Sequence, residues 1–269
     1  SFVFIGDRTY DISSACAKHE DDLIHVLETA NDSTTRYAAA FLAEINPTPE
    51  RAVEWAMRSG PASMDSDTCA WTASQSAVHL GAIAIVDRAK DRQRVLDMLG
   101  SGDVNKIAFA RYAVVLAKAF FDNDDATLEL LSETYLPTFR VLAEADNLQV
   151  ARHGMRGFCV LNPDREGSVV HMLDLAESRP DLTALAMERL PLFGEEICSH
   201  VPRLVPYLKS EDAEVRQSVL DILVVHVGDL PDTEAVREQA AELEASDLDE
   251  GVRNAAEGLR WSIDYESDD

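Results

Sequence analysis

Apolar residues along most of the chain recur at intervals of three and four, which is the spacing of one face of an amphipathic helix. The clearest stretch is 201–261, where two helix-turn-helix segments follow one another. Val215-Arg216 in the first segment corresponds to Val252-Arg253 in the second, 37 residues later. A period of this length is the signature of a helical-repeat protein, in which each hairpin packs against the next. The pattern therefore predicts an all-α fold built from repeated hairpins.

The repeat can be followed along the whole chain by one column of residues early in the second helix of each hairpin. This column consists of Arg36, Gln75, Arg111, Arg152, Thr183, Arg216 and Arg253. Three residues later each copy has an apolar residue, and these are Ala39, Val78, Val114, Met155, Ala186, Val219 and Ala256. Such a stripe is expected to be buried against the adjacent hairpin. The two columns predict about seven hairpins in a single domain, residues 1–269.

The two ends of the chain differ from this pattern. Phe2-Val3-Phe4-Ile5 is a short apolar run that ends at Gly6-Asp7, and it predicts an edge strand or an extended lid. Because a repeat array must cover its terminal apolar faces, residues 1–11 are expected to form an N-terminal cap or extension. Residues 264–269 are expected to be an acidic tail that frays.

Two strings at the turns carry a resemblance to a known family. Ser210–Arg216 reads SEDAEVR, and Asp247–Arg253 reads DLDEGVR. They resemble the HEAT-repeat signature, in which an Asp in the turn and an Arg early in the second helix recur. The closest subtype is the short HEAT repeat that is also found in phycobilin lyases. The resemblance implies a right-handed superhelical solenoid of about seven HEAT-like hairpins. It implies no particular reaction, because members of the family are mostly scaffolds and adaptors.

The repeat Arg residues have a structural interpretation and a functional one. They are Arg36, Arg111, Arg152, Arg216 and Arg253. In the HEAT family this Arg commonly pairs with an Asp in a turn and ties neighbouring hairpins together, and we favour this interpretation. The candidate partners are Asp32, Asp103, Asp212 and Asp247. The alternative is a basic stripe on an acidic body that binds an acidic peptide or phosphate groups.

The position after each repeat Arg is mainly polar or aromatic. In a solenoid this row runs along the concave wall, where partners usually bind. In the second hairpin Gln75 replaces the repeat Arg and shares a helix face with Trp71 and His79, which marks either a site or divergence. The candidate binding row is defined as Tyr37, Trp71, Gln75, Ser76, His79, Tyr112, His153, Gln217, Asp221 and Asn254. The alternative is that these are simply exposed polar positions.

Charge narrows the class of partner. The chain has 24 Lys and Arg against 49 Asp and Glu, a formal net charge of −25. This disfavours nucleic acid, whose affinity for proteins comes largely from neutralised phosphates. Only five of the basic residues are Lys. An acid-rich, Lys-poor composition resembles cytosolic proteins of salt-accumulating microbes, in which salt screens the repulsion. The alternative is an ordinary acidic protein from a GC-rich genome.

The chain shows no motif for insertion into a membrane or for a disulfide framework. No stretch approaches 18 apolar residues and no cleavable signal is visible, so we expect a cytoplasmic protein without membrane insertion. The four cysteines, Cys16, Cys69, Cys159 and Cys198, are scattered and form no CxxC pair, which argues against disulfides.

Motifs for metal, cofactor and catalysis are also missing. Cys16-x-x-His19 and Cys198-x-His200 each offer too few ligands for a closed zinc site, so the sequence predicts neither a metal nor a cofactor. His226 is expected to be a packing or surface residue. There is no glycine-rich phosphate loop, GxSxG or HExxH motif.

These observations predict a non-catalytic scaffold or adaptor that binds one protein partner. One alternative is a helical-repeat enzyme. A phycobilin-lyase-like enzyme needs a tetrapyrrole pocket, for which Trp71 and His79 are the candidates. An enzyme similar to the HEAT-like alkylpurine DNA glycosylases needs a basic channel, which the charge disfavours. A further alternative is a homo-oligomeric structural subunit, suggested by Trp261 near the C-terminal end.

Overall fold

A short β-hairpin lies at the N-terminus and precedes the helical part of the protein. The computed structural model describes the backbone of residues 2–5 and 8–11, the helical positions 22 and 25, and residues 91–266. β1 (Phe2–Ile5) pairs antiparallel with β2 (Arg8–Asp11), so that Phe2 lies opposite Asp11 and Ile5 opposite Arg8. The apolar run at the N-terminus is therefore a strand, one of the two forms expected from the sequence.

Every regular element between residues 91 and 266 is helical, as the apolar periodicity predicts. The α-helices are α1 (Arg92–Leu99), α2 (Val104–Phe120), α3 (Asp125–Ala143), α4 (Leu148–Leu161), α5 (Arg165–Ser178), α6 (Thr183–Arg189), α7 (Val201–Leu204), α8 (Ala213–Val225), α9 (Thr233–Ser246) and α10 (Glu250–Glu266). Four 3-10 segments are Pro180–Leu182, Leu190–His200, Val205–Lys209 and Val227–Asp229. None of the helices in this part of the chain combines the length and hydrophobicity needed to span a bilayer.

The chain divides into two compact units, Ser1–Leu161 and Asn162–Asp269. In the first unit α3 and α4 form an antiparallel hairpin, in which the Ser132 hydroxyl donates to the Leu161 carbonyl at 2.9 Å. The two helices approach closely because α4 has glycines at the contact. A Cβ atom at Gly154 would lie 2.2 Å from the backbone nitrogen of Ala143. α3 also continues through Pro137 without being split.

In the second unit α9 and α10 form another antiparallel hairpin. Arg237 near the start of α9 pairs with Asp264 near the end of α10, with 2.6 Å between Nε and Oδ1. Across the same hairpin, Arg260 Nη1 lies 3.1 Å from Glu244 Oε2. Ion pairs that run in opposite order along the two helices fix their antiparallel register.

The helices α8 and α10 lie side by side and run in parallel. A Cβ atom at Gly251 would lie 2.6 Å from the Gln217 side chain, and one at Gly258 would lie 4.0 Å from Val224. Both contacts join residues 34 positions apart, so the register is constant along the pair. Parallel second helices of successive hairpins are the local arrangement that a repeat array requires.

The apolar column predicted from the repeat is confirmed where the structure describes it. Its five members in this part of the chain each have 0% of their surface exposed, and they are Val114, Met155, Ala186, Val219 and Ala256. Ala39 and Val78 lie outside the described residues. The column therefore marks the buried stripe of each second helix.

The helix that begins at Val201, at the start of the two helix-turn-helix segments, departs from the prediction. The apolar spacing of 201–261 predicts a helix at its start, but α7 ends at Leu204 and a 3-10 segment follows. Pro206 has no N–H to donate to the carbonyl of Pro202, and its ring crowds that carbonyl, which disfavours an α-helix at this point. The stretch that begins at Pro180 likewise opens as a 3-10 turn before α6.

Aspartates in the turns have a shared local role as helix caps. Each of them accepts a hydrogen bond from a backbone N–H in the first turn of the following helix, which satisfies a donor that has no helical partner. They are Asp103 before α2, Asp124 before α3, Asp164 before α5, Asp212 before α8, Asp232 before α9 and Asp249 before α10. Part of the acidic composition therefore stabilises helix starts.

Candidate functional site

Arg216, a member of the repeat Arg column, joins two successive hairpins. Its Nε and Nη2 atoms donate to the two carboxylate oxygens of Asp247, at 2.8 and 2.9 Å. Its Nη1 atom donates to the carbonyls of Ser210 and Glu211 in its own turn, at 2.7 and 3.0 Å. The hydrogen bonds from Arg216 hold the pKa of Asp247 below its usual range. Arg216 is thus a structural link between the turn of one hairpin and the turn of the next.

Arg253 makes the same contact with its own turn. Its Nη1 atom donates to the carbonyls of Asp247 and Leu248, which precede it by six and five residues, as Ser210 and Glu211 precede Arg216. Two of the four Asp residues expected as partners have another role. Asp103 and Asp212 cap α2 and α8 instead, because their carboxylates face the free N–H groups of the helix start.

The remaining members of the repeat Arg column are Arg36, Arg111 and Arg152. Arg111 on α2 and Arg152 on α4 are half-buried. Arg36 lies outside the described residues. The tie between hairpins is therefore observed at Arg216, and the carbonyl contacts at both Arg216 and Arg253.

The candidate binding row is only partly covered by the described residues. Five of its members lie outside them, namely Tyr37, Trp71, Gln75, Ser76 and His79. In the first unit Tyr112 on α2 and His153 on α4 are half-buried. In the second unit Gln217 and Asp221 on α8 and Asn254 on α10 are exposed. Each unit therefore carries its own part of the row, on its second helices.

His153 is a neutral imidazole in a locally basic setting. Burial, and then the nearby guanidinium groups of Arg111, Arg156 and Arg152, lower the pKa of His153 to about 4. Its Nδ1 atom is buried and has no hydrogen-bond partner among the described residues. At neutral pH His153 therefore offers an uncharged ring, and the positive charge around it belongs to the three arginines.

One face of α10 carries exposed aromatic side chains in line with the row. Asn254, Gly258, Trp261 and Tyr265 follow at intervals of four, three and four residues, which places them on one face of the helix. Trp261 is 66% exposed and Tyr265 is 74% exposed. We call these four residues the α10 face. The helical spacing in the sequence is the signal that connects Trp261 and Tyr265 with Asn254, the member of the candidate binding row on this helix.

The opposite side of α10 is packed against the rest of the second unit. Val252, Ala256 and Leu259 are fully buried, and Ile263 nearly so. The helix is therefore held by one stripe, and Asn254, Trp261 and Tyr265 on its opposite side are exposed to solvent. Asp221 on α8 belongs to the same row, and partial burial raises the pKa of its carboxyl group.

A second polar grouping lies in the same unit, where Cys198, His226 and Asp229 converge. His226 Nδ1 lies 3.5 Å from Cys198 Sγ and 3.6 Å from Asp229 Oδ2. One ligand atom from each of the three residues lies within 4.8 Å of the others. A hydrogen bond with Asp229, and then burial, raise the pKa of the Cys198 thiol. We call this grouping the Cys-His-Asp cluster.

The sequence motif Cys198-x-His200 pairs Cys198 with a different histidine. His200, two residues along, has its Nε2 atom 4.0 Å from Glu166 Oε1 and is not a member of the cluster. His226 was expected to be a packing or surface residue, and Asp229 was not singled out. The His-x-x-Asp spacing after α8 is the signal that could have paired them. Among the described residues, Cys159 and Cys198 are not joined by a disulfide.

Comparison with protein-family models, with curated proteins and with solved structures finds no match for this chain.

Proposed function

We propose that the protein is a HEAT-like helical-repeat adaptor that binds one protein partner through Gln217, Asp221 and Asn254, the members of the candidate binding row in the second unit, and through the α10 face. The observation that carries the proposal is the α10 face, where Trp261 and Tyr265 stand exposed in line with Asn254. Exposed Trp and Tyr side chains are the residues that most often contribute the binding energy of protein interfaces. The binding mechanism is the shape of a rigid surface, and no catalytic step is involved.

Two contacts support a repeat organisation of the solenoid kind. The first is the parallel packing of α8 and α10 in constant register. The second is the bidentate pair of Arg216 with Asp247, which links consecutive turns. Both contacts hold a second helix in a fixed position relative to the next one. A surface composed of residues from both helices is then preorganised, which lowers the entropy lost on binding.

The chemistry of the row favours a peptide or a helix as the bound element. Gln217 and Asn254 offer amide groups that both donate and accept hydrogen bonds, and the aromatic rings offer apolar area. The net charge of −25 favours a partner whose contacting surface is neutral or basic. We place the protein in the cytoplasm of a salt-accumulating cell, on the acid-rich and Lys-poor composition alone.

The proposal is tested by co-purification from native extract at native salt, with variants of the α10 face. The double variant Trp261→Ser with Tyr265→Ser is expected to lose the partner and to keep its fold, because both side chains are exposed. Leu248→Ser is the matched control, since Leu248 is 98% exposed but lies in the turn before α10 and outside the helix. Recovery of the same proteins by all variants, or of none by the unmodified protein, would contradict the adaptor function.

Other outcomes of the same purification identify the alternatives. If the recovered species is a second copy of this chain, lost on changing Trp261, the protein is a homo-oligomeric subunit instead. A bound chromophore in the visible spectrum would indicate a lyase-like function. Binding to duplex DNA in moderate salt would indicate a glycosylase-like one, against the expectation from charge.

A further inference from the structure

We propose that Cys198, His226 and Asp229 form a binding site for one divalent ion of the late first transition series, zinc foremost, with one coordination position open to solvent. This site lies entirely within the second unit and does not depend on the adaptor function. The sequence offered only ligand pairs, whereas the fold brings together a thiol, an imidazole and a carboxylate from two segments 28 residues apart.

The distances within the cluster match those of a metal site. In tetrahedral zinc sites, Zn–S of about 2.3 Å and Zn–N of about 2.0 Å place sulfur and nitrogen roughly 3.5 Å apart. Cys198 Sγ and His226 Nδ1 are 3.5 Å apart. A nitrogen and a carboxylate oxygen on the same zinc lie roughly 3.4 Å apart. His226 Nδ1 and Asp229 Oδ2 are 3.6 Å apart. The third pair, Cys198 Sγ and a carboxylate oxygen of Asp229, lies within 4.8 Å, so the carboxylate moves closer to the thiol when an ion binds.

The backbone holds two of the ligands in a fixed relation. The N–H of Asp229 donates to the carbonyl of His226 at 3.0 Å, which closes the turn that carries both residues. Val227 inside this turn is buried, and so is Ile197 beside Cys198. The ligands are therefore attached to backbone that is anchored in the core, as a preorganised site requires.

Exposure identifies the open side of the site. The His226 side chain is 10% exposed and the Asp229 side chain is 39% exposed. Solvent therefore reaches the cluster from the side of Asp229, and a water molecule can occupy the fourth position. Three protein ligands with an open fourth position distinguish this arrangement from closed structural zinc sites.

The donor set selects the class of ion. Thiolate and imidazole suit zinc, cobalt and copper, whereas calcium and magnesium prefer sites made of oxygen atoms. Binding forms one metal–sulfur, one metal–nitrogen and one metal–oxygen bond. The thiol proton is released to solvent, because only the thiolate is a ligand. The competing explanation is a hydrogen-bonded cluster that binds no ion, in which the thiol donates to Asp229.

Cobalt(II) titration of the untagged full-length protein tests the site. A cobalt–thiolate bond gives a charge-transfer band in the near ultraviolet, and a tetrahedral site gives intense visible bands. We expect both to saturate at one cobalt per chain and to be displaced by zinc. Cys198→Ser should abolish the thiolate band, and Asp229→Asn should weaken binding by at least about 100-fold, since even outer-shell partners contribute about 10–100-fold. Both changes preserve side-chain shape.

Two control variants separate this site from other donors. Cys159→Ser removes the buried thiol of α4, and His200→Gln removes the imidazole nearest to Cys198 in sequence. Neither should change the bands or the affinity. Absence of any cobalt band, a band that survives Cys198→Ser, or equal losses in the controls would overturn the proposal. His226→Gln is a third variant of a proposed ligand. If it fails to fold, Cys198→Ser and Asp229→Asn test the metal site without it.

Discussion

The guanidinium of Arg216 forms a bidentate pair with Asp247, which lies 31 residues further along the chain in the turn of the next hairpin. The two side chains are 13% and 6% exposed. The same guanidinium also bonds the carbonyls of its own turn. One side chain therefore joins the elements that a repeat must keep in register.

Replacing Arg216 by Ala is expected to destabilise the second unit by about 2 kcal/mol. This is below the roughly 3–5 kcal/mol lost when one partner of a fully buried pair is removed, because Asp247 is covered but lies near the surface. Arg253→Ala is the matched control, since Arg253 makes the carbonyl contacts to its own turn. The Arg253→Ala variant should lose about 1 kcal/mol of unfolding free energy. Urea unfolding measures both, and equal losses would contradict a role for the pair with Asp247.

Gly154→Ala is expected to be strongly destabilising. The new Cβ atom would lie 2.2 Å from the backbone nitrogen of Ala143, so α3 and α4 would have to separate. Overpacking of this kind costs about 1–3 kcal/mol or more. Gly258→Ala should instead gain up to about 1 kcal/mol from helix propensity, because its Cβ atom meets Val224 only at 4.0 Å. Thermal melts that show the same sign for both variants would contradict the packing described here.

The neutral His153 predicts a specific loss of stability in mild acid. Its pKa is about 4 in the folded protein, against 6.5 as the ordinary value, so the unfolded chain takes up the proton first as pH falls. The stability contributed by the neutral ring is complete above pH 6.5 and is lost as pH falls towards 4. Between pH 7 and pH 5, the free energy of unfolding should therefore fall by about 1–2 kcal/mol less for His153→Gln than for the unmodified protein.

Urea unfolding at the two pH values measures this difference. His25→Gln, at an exposed helical position, is measured in parallel as the control for replacing a histidine by glutamine. A profile for His153→Gln that is parallel to that of the unmodified protein would show that His153 does not carry the effect.

Salt is expected to stabilise the protein. A net charge of −25 produces repulsion in the folded state, which ions screen at high concentration. A gain of about 2 kcal/mol in molar KCl would raise the melting midpoint by roughly 4–8 °C for a chain of this size. Melts in dilute buffer and in molar KCl make the comparison. Equal midpoints would contradict adaptation to salt.

The helices could be predicted from the sequence because their packing has a period that the sequence repeats. The buried column through Val114, Met155 and Val219 is one consequence, and the position of Arg216 is another. The helix that begins at Val201 could not be predicted as well, because Pro206 preserves the apolar spacing while it disfavours the α-helical hydrogen bond, and a 3-10 segment follows Leu204.

The candidate sites differ in how far the sequence reveals them. The α10 face follows from helical spacing, since Asn254, Trp261 and Tyr265 lie on one helix. The Cys-His-Asp cluster does not, because its thiol comes from the 3-10 segment Leu190–His200 and its other members from the turn after α8. No spacing rule connects these segments, and only the packing of the second unit brings them together.

Site-specific photo-crosslinking tests the adaptor function most directly. A photoreactive amino acid is placed at Asn254 or Gln217, which belong to the candidate binding row, and in parallel at Glu238, an exposed position of α9. After irradiation in native extract at native salt, we expect one protein to be crosslinked from Asn254 and from Gln217 and not from Glu238. The absence of any adduct from the row, or the same adducts from all three positions, would contradict the proposed function.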